Sequence, residues 1–144
     1  NYVDNSIQYT ESNYNTANTL SYLYKNFLID IVSEPTCSGN TFYPTEKVVR
    51  AILCCRPFIA MCSKNYLIYL RQMGFKTFYD FWDENYDGFD GEEKYFRILK
   101  LIDDISNRSK NELSDMYSNM QDILKHNREL ILSQTYSTEV YTVD

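Results

Sequence analysis

At 144 residues, 44% of them hydrophobic, the chain has the size of one domain and can bury a core without disulfides or a metal. Its formal net charge of -6, with Lys and Arg scattered rather than in runs, argues against a general nucleic-acid binder, because a phosphate backbone would be repelled. No apolar stretch nears the roughly 18–20 residues that span a bilayer, and the start carries no signal-peptide pattern, so the expectation is a cytoplasmic protein with no membrane partner.

The first residue is Asn1 rather than Met, which reads as an excised or processed piece of a longer frame. Residues 1–15 are rich in Asn, Tyr, Ser and Thr without apolar periodicity and read as an irregular polar arm. Residues 16–134 read as a single α/β domain and 135–144 as a polar tail. Within the domain, residues 16–26 suggest a short helix. Residues 27–32 (FLIDIV) are a short, partly β-branched run bounded by polar residues, the pattern of a buried strand. Two prolines and a glycine make residues 35–44 a loop.

Thr45 is the predicted N-cap of a helix whose apolar face is Val48, Val49, Ile52 and Leu53. Pro57 ends that helix and opens a second apolar run, Phe58 to Cys62. Two apolar strands with a helix between them predict a right-handed parallel βαβ unit. The expected architecture is therefore a small parallel Rossmann-like sheet flanked by helices. Ser63 is the expected cap of the next helix, which Gly74 stops, and residues 75–78 suggest a third strand. Two helices close the domain, one over about 92–105 and one from Ser109 to about Ile131, the latter announced by the capping box Ser109-Lys110-Asn111-Glu112.

Four cysteines, at 37, 54, 55 and 62, include no CxxC, and His126 is the one histidine, so no metal site is expected and the thiols read as reduced. Asp83 to Gly88 (DENYDG) follows the first half of a calcium-binding EF-hand loop, but the closing position that needs a bidentate Glu is Lys94. Calcium binding is thus a minor alternative beside a solvated acidic loop. The aromatic cluster Phe75, Phe78, Tyr79, Phe81, Trp82, Tyr86 and Phe89 reads first as a core edge or interface, and second as a surface that stacks on a sugar or base.

The most specific pattern is strand, Glu34, loop, Tyr43-Pro44-Thr45-Glu46-Lys47, helix, Pro57, strand. In open α/β sheets ligands bind beyond the carboxyl ends of strands, often at a helix N-terminus. At Glu34, Tyr43, Thr45, Glu46, Lys47, Ala51, Pro57 and Phe58 this stretch resembles the donor-binding half of α-1,3-fucosyltransferases, and YLRQMGFKTFYDFWDENYD (residues 69–87) resembles glycosyltransferase-like proteins of phages and environmental sequences. The resemblance implies the C-terminal half of a GT-B glycosyltransferase that binds a nucleotide-diphosphate sugar, GDP-linked donors among them. Glu46 would then hold the ribose, Lys47 the diphosphate, and Glu34, Tyr43 and Thr45 would line the same pocket. No separate cofactor or metal is implied, because Lys and the helix dipole stabilise the leaving diphosphate.

The chain departs from the family at Pro35 and Thr36, at Arg50 and at Cys62-Ser63. It carries no counterpart of the acceptor-binding half, so no catalytic residue is assigned and turnover by the isolated chain is not expected. The partners implied are a sugar donor, a glycan or other hydroxyl acceptor, and a missing N-terminal half or a second copy. The alternative is a non-catalytic protein-interaction domain that keeps the fold.

Overall fold

The computed structural model describes residues 21–35 and 37–133. The polar arm, the tail and the first part of the predicted helix over 16–26 lie outside the described residues. What is described of that helix is a single 3-10 segment, Ser21–Lys25. The Tyr24 hydroxyl ties this segment to Asp30, donating to the carboxylate at 2.6 Å.

The described residues form a mixed α/β domain: a two-stranded parallel sheet and five α-helices. Strand β1 (Asp30–Ser33) and strand β2 (Phe58–Met61) pair in parallel with Asp30 opposite Phe58 and Ser33 opposite Met61. The connection between them is helix α1 (Glu46–Leu53), as the apolar runs predict. Phe58, Ile59 and Ala60 are buried on both faces of β2, whereas β1 buries Val32 and leaves Ile31 46% exposed. Sequence alone read both runs as buried alike. In the structure the second is central to the core and the first is half open. The outer edge of β2 is stopped by the Tyr86 hydroxyl, which accepts from Ala60 N–H at 3.2 Å. A phenol here replaces the next strand of a larger sheet.

Among the described residues there is no third strand at 75–78. The reason is a side chain: Lys76 N–H donates to Asn127 Oδ1 and Asn127 Nδ2 donates to Lys76 O, both at 2.8 Å. Phe78 N–H donates to Glu84 Oε1 at 2.8 Å. The backbone of 75–78 thus satisfies its polar groups on the Asn127 and Glu84 side chains and on neighbouring turns (Phe75 N–H to Leu70 O, Phe81 and Trp82 N–H to Phe78 O) rather than on a strand.

Helix α2 (Tyr66–Gln72) begins two residues later than the Ser63 cap predicts. Asn65 stands at its N-cap in the left-handed region, without a side-chain cap bond. The Ser63 hydroxyl instead donates to Thr41 O, binding the loop before α1. Helix α3 (Gly91–Ser106) is capped by Asp90 and buries Lys94, Ile98, Leu101 and Ile105. The predicted long terminal helix is two: α4 (Lys110–Asn119), with its capping box intact, and α5 (Gln121–Ser133). The interruption falls at Met120, where i to i−4 bonds persist on both sides (Met120 N to Met116 O, Leu124 N to Met120 O). One hydrophobic cluster joins all of these elements. Helix α5 packs on α1, and α3 packs on β2 and on the 3-10 turn Asn85–Gly88.

Candidate functional site

Beyond the carboxyl end of β1 the chain turns through Glu34 into the loop that leads to α1. Glu34 is buried, and its carboxylate is fully engaged: Oε1 accepts from Thr45 N–H at 2.9 Å and from the Tyr66 hydroxyl at 3.1 Å, and Oε2 accepts from the Thr45 hydroxyl. One acid therefore clamps strand β1, the cap of α1 and the first residue of α2. Burial and the adjacent acid hold the Tyr66 phenol well above its ordinary range, so it stays a donor to Glu34.

Thr45 is the N-cap of α1, as its position predicts, with extended backbone and its hydroxyl accepting from Lys47 N–H at 3.3 Å. Its first helical bond runs from Val49 N–H to Thr45 O. The clamp fixes that cap from outside the helix. Glu46 and Lys47 follow on the outer face, their side chains 34% and 39% exposed, with Lys47 Nζ 3.4 Å from both Glu46 Oε1 and Thr45 Oγ1. Burial pushes the Glu46 carboxyl up, but a bond to its own backbone N–H and the Lys47 charge outweigh it, and the group sits below its ordinary value. Tyr43 is half-buried two residues before the cap. Glu34, Thr45, Glu46 and Lys47 are thus one contiguous group, with Glu34 behind the cap and the Glu46–Lys47 pair in front of it.

A second acidic centre was only partly legible. Asp87, in the segment that follows an EF-hand pattern, is buried rather than solvated. Its carboxylate accepts from Leu67 N–H at 3.1 Å and from Ile68 N–H at 3.3 Å, supplying the cap that α2 lacks locally. Lys94, at the position where the loop pattern wants its last ligand, points inward. Its ammonium donates to Cys62 O at 2.7 Å and Ser63 O at 2.9 Å and lies 4.0 Å from Asp87. Burial lowers the Lys94 pKa and raises that of Asp87, each partly offset by the other's charge. Glu84 is bound to Thr77, Phe78 N–H and Arg71. Asp87 thus works as an internal cap of α2 and Glu84 as an internal acceptor, while Asp83 stays exposed. Nothing local in the sequence marks Lys94 as a buried cation: its neighbours Glu92 and Glu93 read as solvated helix positions, while Tyr95, which the sequence reads as facing inward, is 47% exposed.

The aromatic cluster divides. Phe75, Phe78, Trp82 and Tyr86 are core, with Phe58 edge-on to Phe78 at 5.3 Å, while Tyr79 is 63% exposed. His126 is half-buried and bonds Gly74 O at 2.8 Å. Among the described residues no helix is long and apolar enough to cross a membrane.

Comparisons with family models, with curated proteins and with solved structures find no match to this chain.

Proposed function

We propose that the domain binds a nucleotide-diphosphate sugar at the N-terminus of α1, as the donor-binding half of a GT-B, fucosyltransferase-like glycosyltransferase. The observation that carries this reading is the pre-set cap: Glu34 holds Thr45 by two bonds, which leaves the Glu46–Lys47 pair at the mouth of an eight-residue helix beyond the end of β1. A diphosphate approaching there meets the helix dipole and the Lys47 ammonium together. The phosphate takes Lys47 from Glu46, and the released carboxylate becomes the acceptor for ribose hydroxyls. Glu34 acts as a positioning residue in this scheme, since its oxygens are spent on Thr45 and Tyr66. Sugar transfer to a hydroxyl acceptor is completed, in the GT-B scheme, by an acceptor-binding half. Calorimetric titration with GDP, UDP, ADP and CMP tests the reading. One diphosphate binding at millimolar affinity or better, and weakened at least about tenfold by Lys47→Ala and by Glu46→Ala, supports it. No binding by any of them sinks it.

A second reading, a non-catalytic interaction domain, is favoured by the outer face of α3. Tyr95, Phe96 and Leu99 stand 47%, 60% and 42% exposed within two turns of one helix. Light scattering of the wild type and of Phe96→Glu separates the readings. An oligomer dissolved by the substitution, in a chain that ignores nucleotides, would support assembly.

A further inference from the structure

The turn that ends α1 departs from a local rule. Cys54 N–H donates to Arg50 O at 3.0 Å, Cys55 N–H to Ile52 O at 3.0 Å and Arg56 N–H to Ala51 O at 2.9 Å. The last two are the paired bonds of a Schellman closure, whose left-handed position is ordinarily glycine. Here it is Cys55, at φ +50°. A Cβ in that conformation crowds the following carbonyl, so a cysteine costs stability where glycine would not. The costly residue directly follows another cysteine. An observed backbone outlier is a reason to ask what the side chain does there.

The result is two adjacent free thiols on one turn, both half-buried. The turn is anchored. Tyr117 donates to Cys55 O at 3.2 Å, the Arg56 guanidinium lies 5.1 Å from the Tyr117 ring, and Arg128 Nε donates to Leu53 O at 3.1 Å. The other two thiols sit at the far end of the strands: Cys37 donates to Met61 O and Cys62 to Val32 O. They therefore cannot complete a site with Cys54 or Cys55. Burial and the neighbouring Cys55 raise the Cys54 thiol above its ordinary range, against the opposing charges of Arg50, Arg56 and Arg128. The Cys54 thiol is thus held neutral and is poorly suited to nucleophilic catalysis.

We propose that Cys54 and Cys55 form a chelating dithiol site for trivalent thiophilic ligands of the oxoarsenical class. The As–O bonds of an arsenoxide break and two As–S bonds form. Both thiol protons leave with the oxygen as water, and no atom changes oxidation state. A ligand atom between the sulfurs enlarges the ring that a direct disulfide would have to close across one peptide bond, which relaxes the geometric demand on the pair. The second sulfur binds intramolecularly once the first is attached, so the pair holds the ligand far more tightly than either thiol alone.

Mass spectrometry of the intact folded chain with phenylarsine oxide tests the site. The expected result is one phenylarsenic group bound with loss of one water, removed by a vicinal dithiol but not by excess monothiol. Cys54→Ser and Cys55→Gly should both abolish the dithiol-specific adduct, and Cys37→Ser should retain it. Cys55→Gly is the decisive variant, because glycine suits the left-handed position and its melting temperature should not fall. Failure of the wild type to form the adduct, or its survival in Cys55→Gly, overturns the proposal.

Discussion

Helices α1 and α2 both begin on a buried carboxylate, but in different ways. At α1 the acid, Glu34, grips the cap residue Thr45 and leaves the first turn facing outward with Glu46 and Lys47 on it. At α2 the acid, Asp87, occupies the N-terminus itself, accepting from Leu67 and Ile68 N–H, and Lys94 neutralises it from behind. A helix N-terminus offers orphan N–H groups and a positive partial charge. At α2 the chain's own anion has taken both. At α1 the internal acid supports the cap and the mouth stays open. The proposed donor site is accordingly at α1, although α2 is the more elaborately capped of the two.

Removing each acid sharpens this contrast. Asp87→Ala removes the counter-charge of the buried Lys94, which keeps only its two carbonyl acceptors, and strands two N–H groups; it should lower unfolding free energy by about 3–5 kcal/mol in urea titrations. Glu34→Ala leaves Thr45 and Tyr66 without their acceptor. A loss on the order of 2–3 kcal/mol is expected, with nucleotide binding weakened as well because the cap is no longer held. If Glu34→Ala proved the more damaging to stability, the ranking of the two centres would be reversed. Lys47→Ala should change stability by less than about 0.5 kcal/mol while weakening any diphosphate, since it alters only the exposed side of the α1 mouth.

The smallest expected effect is one of pH. Burial holds Glu84 above its ordinary 4.5, so the folded chain keeps that proton longer than the unfolded chain. Its contribution is present at low pH and fades as pH rises through the window just above 4.5. Glu46 runs the other way: its lowered value contributes stability above 4.5 that is lost as pH falls. Thermal unfolding across that range should show the wild type losing ground to Glu84→Gln as pH rises. A constant difference would mean that Glu84 titrates alike in both states.

Much of the α1 region was legible because its signals are local. Thr45 sits directly before an apolar periodicity, Pro57 directly before β2, and the capping box at Ser109 is complete within four residues. What escaped depends on residues distant in sequence. Residues 75–78 have the composition of a strand, but Asn127, 51 positions from Lys76, takes up their backbone. Ser63 looks like a cap, but the cap of α2 arrives from Asp87, 20 positions beyond Leu67. Of the residues the pattern singles out, Glu34, Thr45, Glu46 and Lys47 lie against one another. That Glu34 faces Thr45 and Tyr66 rather than the outside depends on Tyr66, whose role no spacing rule suggests.

The parallel pairing of β1 with β2 also has a kinetic consequence. Each residue of β1 meets one 28 positions further along, and the intervening chain must place α1 before either strand has a neighbour. Such a closure loses chain entropy before any ladder bond rewards it. The sheet should therefore form late, on a surface that α1 and α5 have already built. Destabilising substitutions at Val48 or Val49 should slow refolding, whereas changes at the half-open Ile31 should mainly speed unfolding.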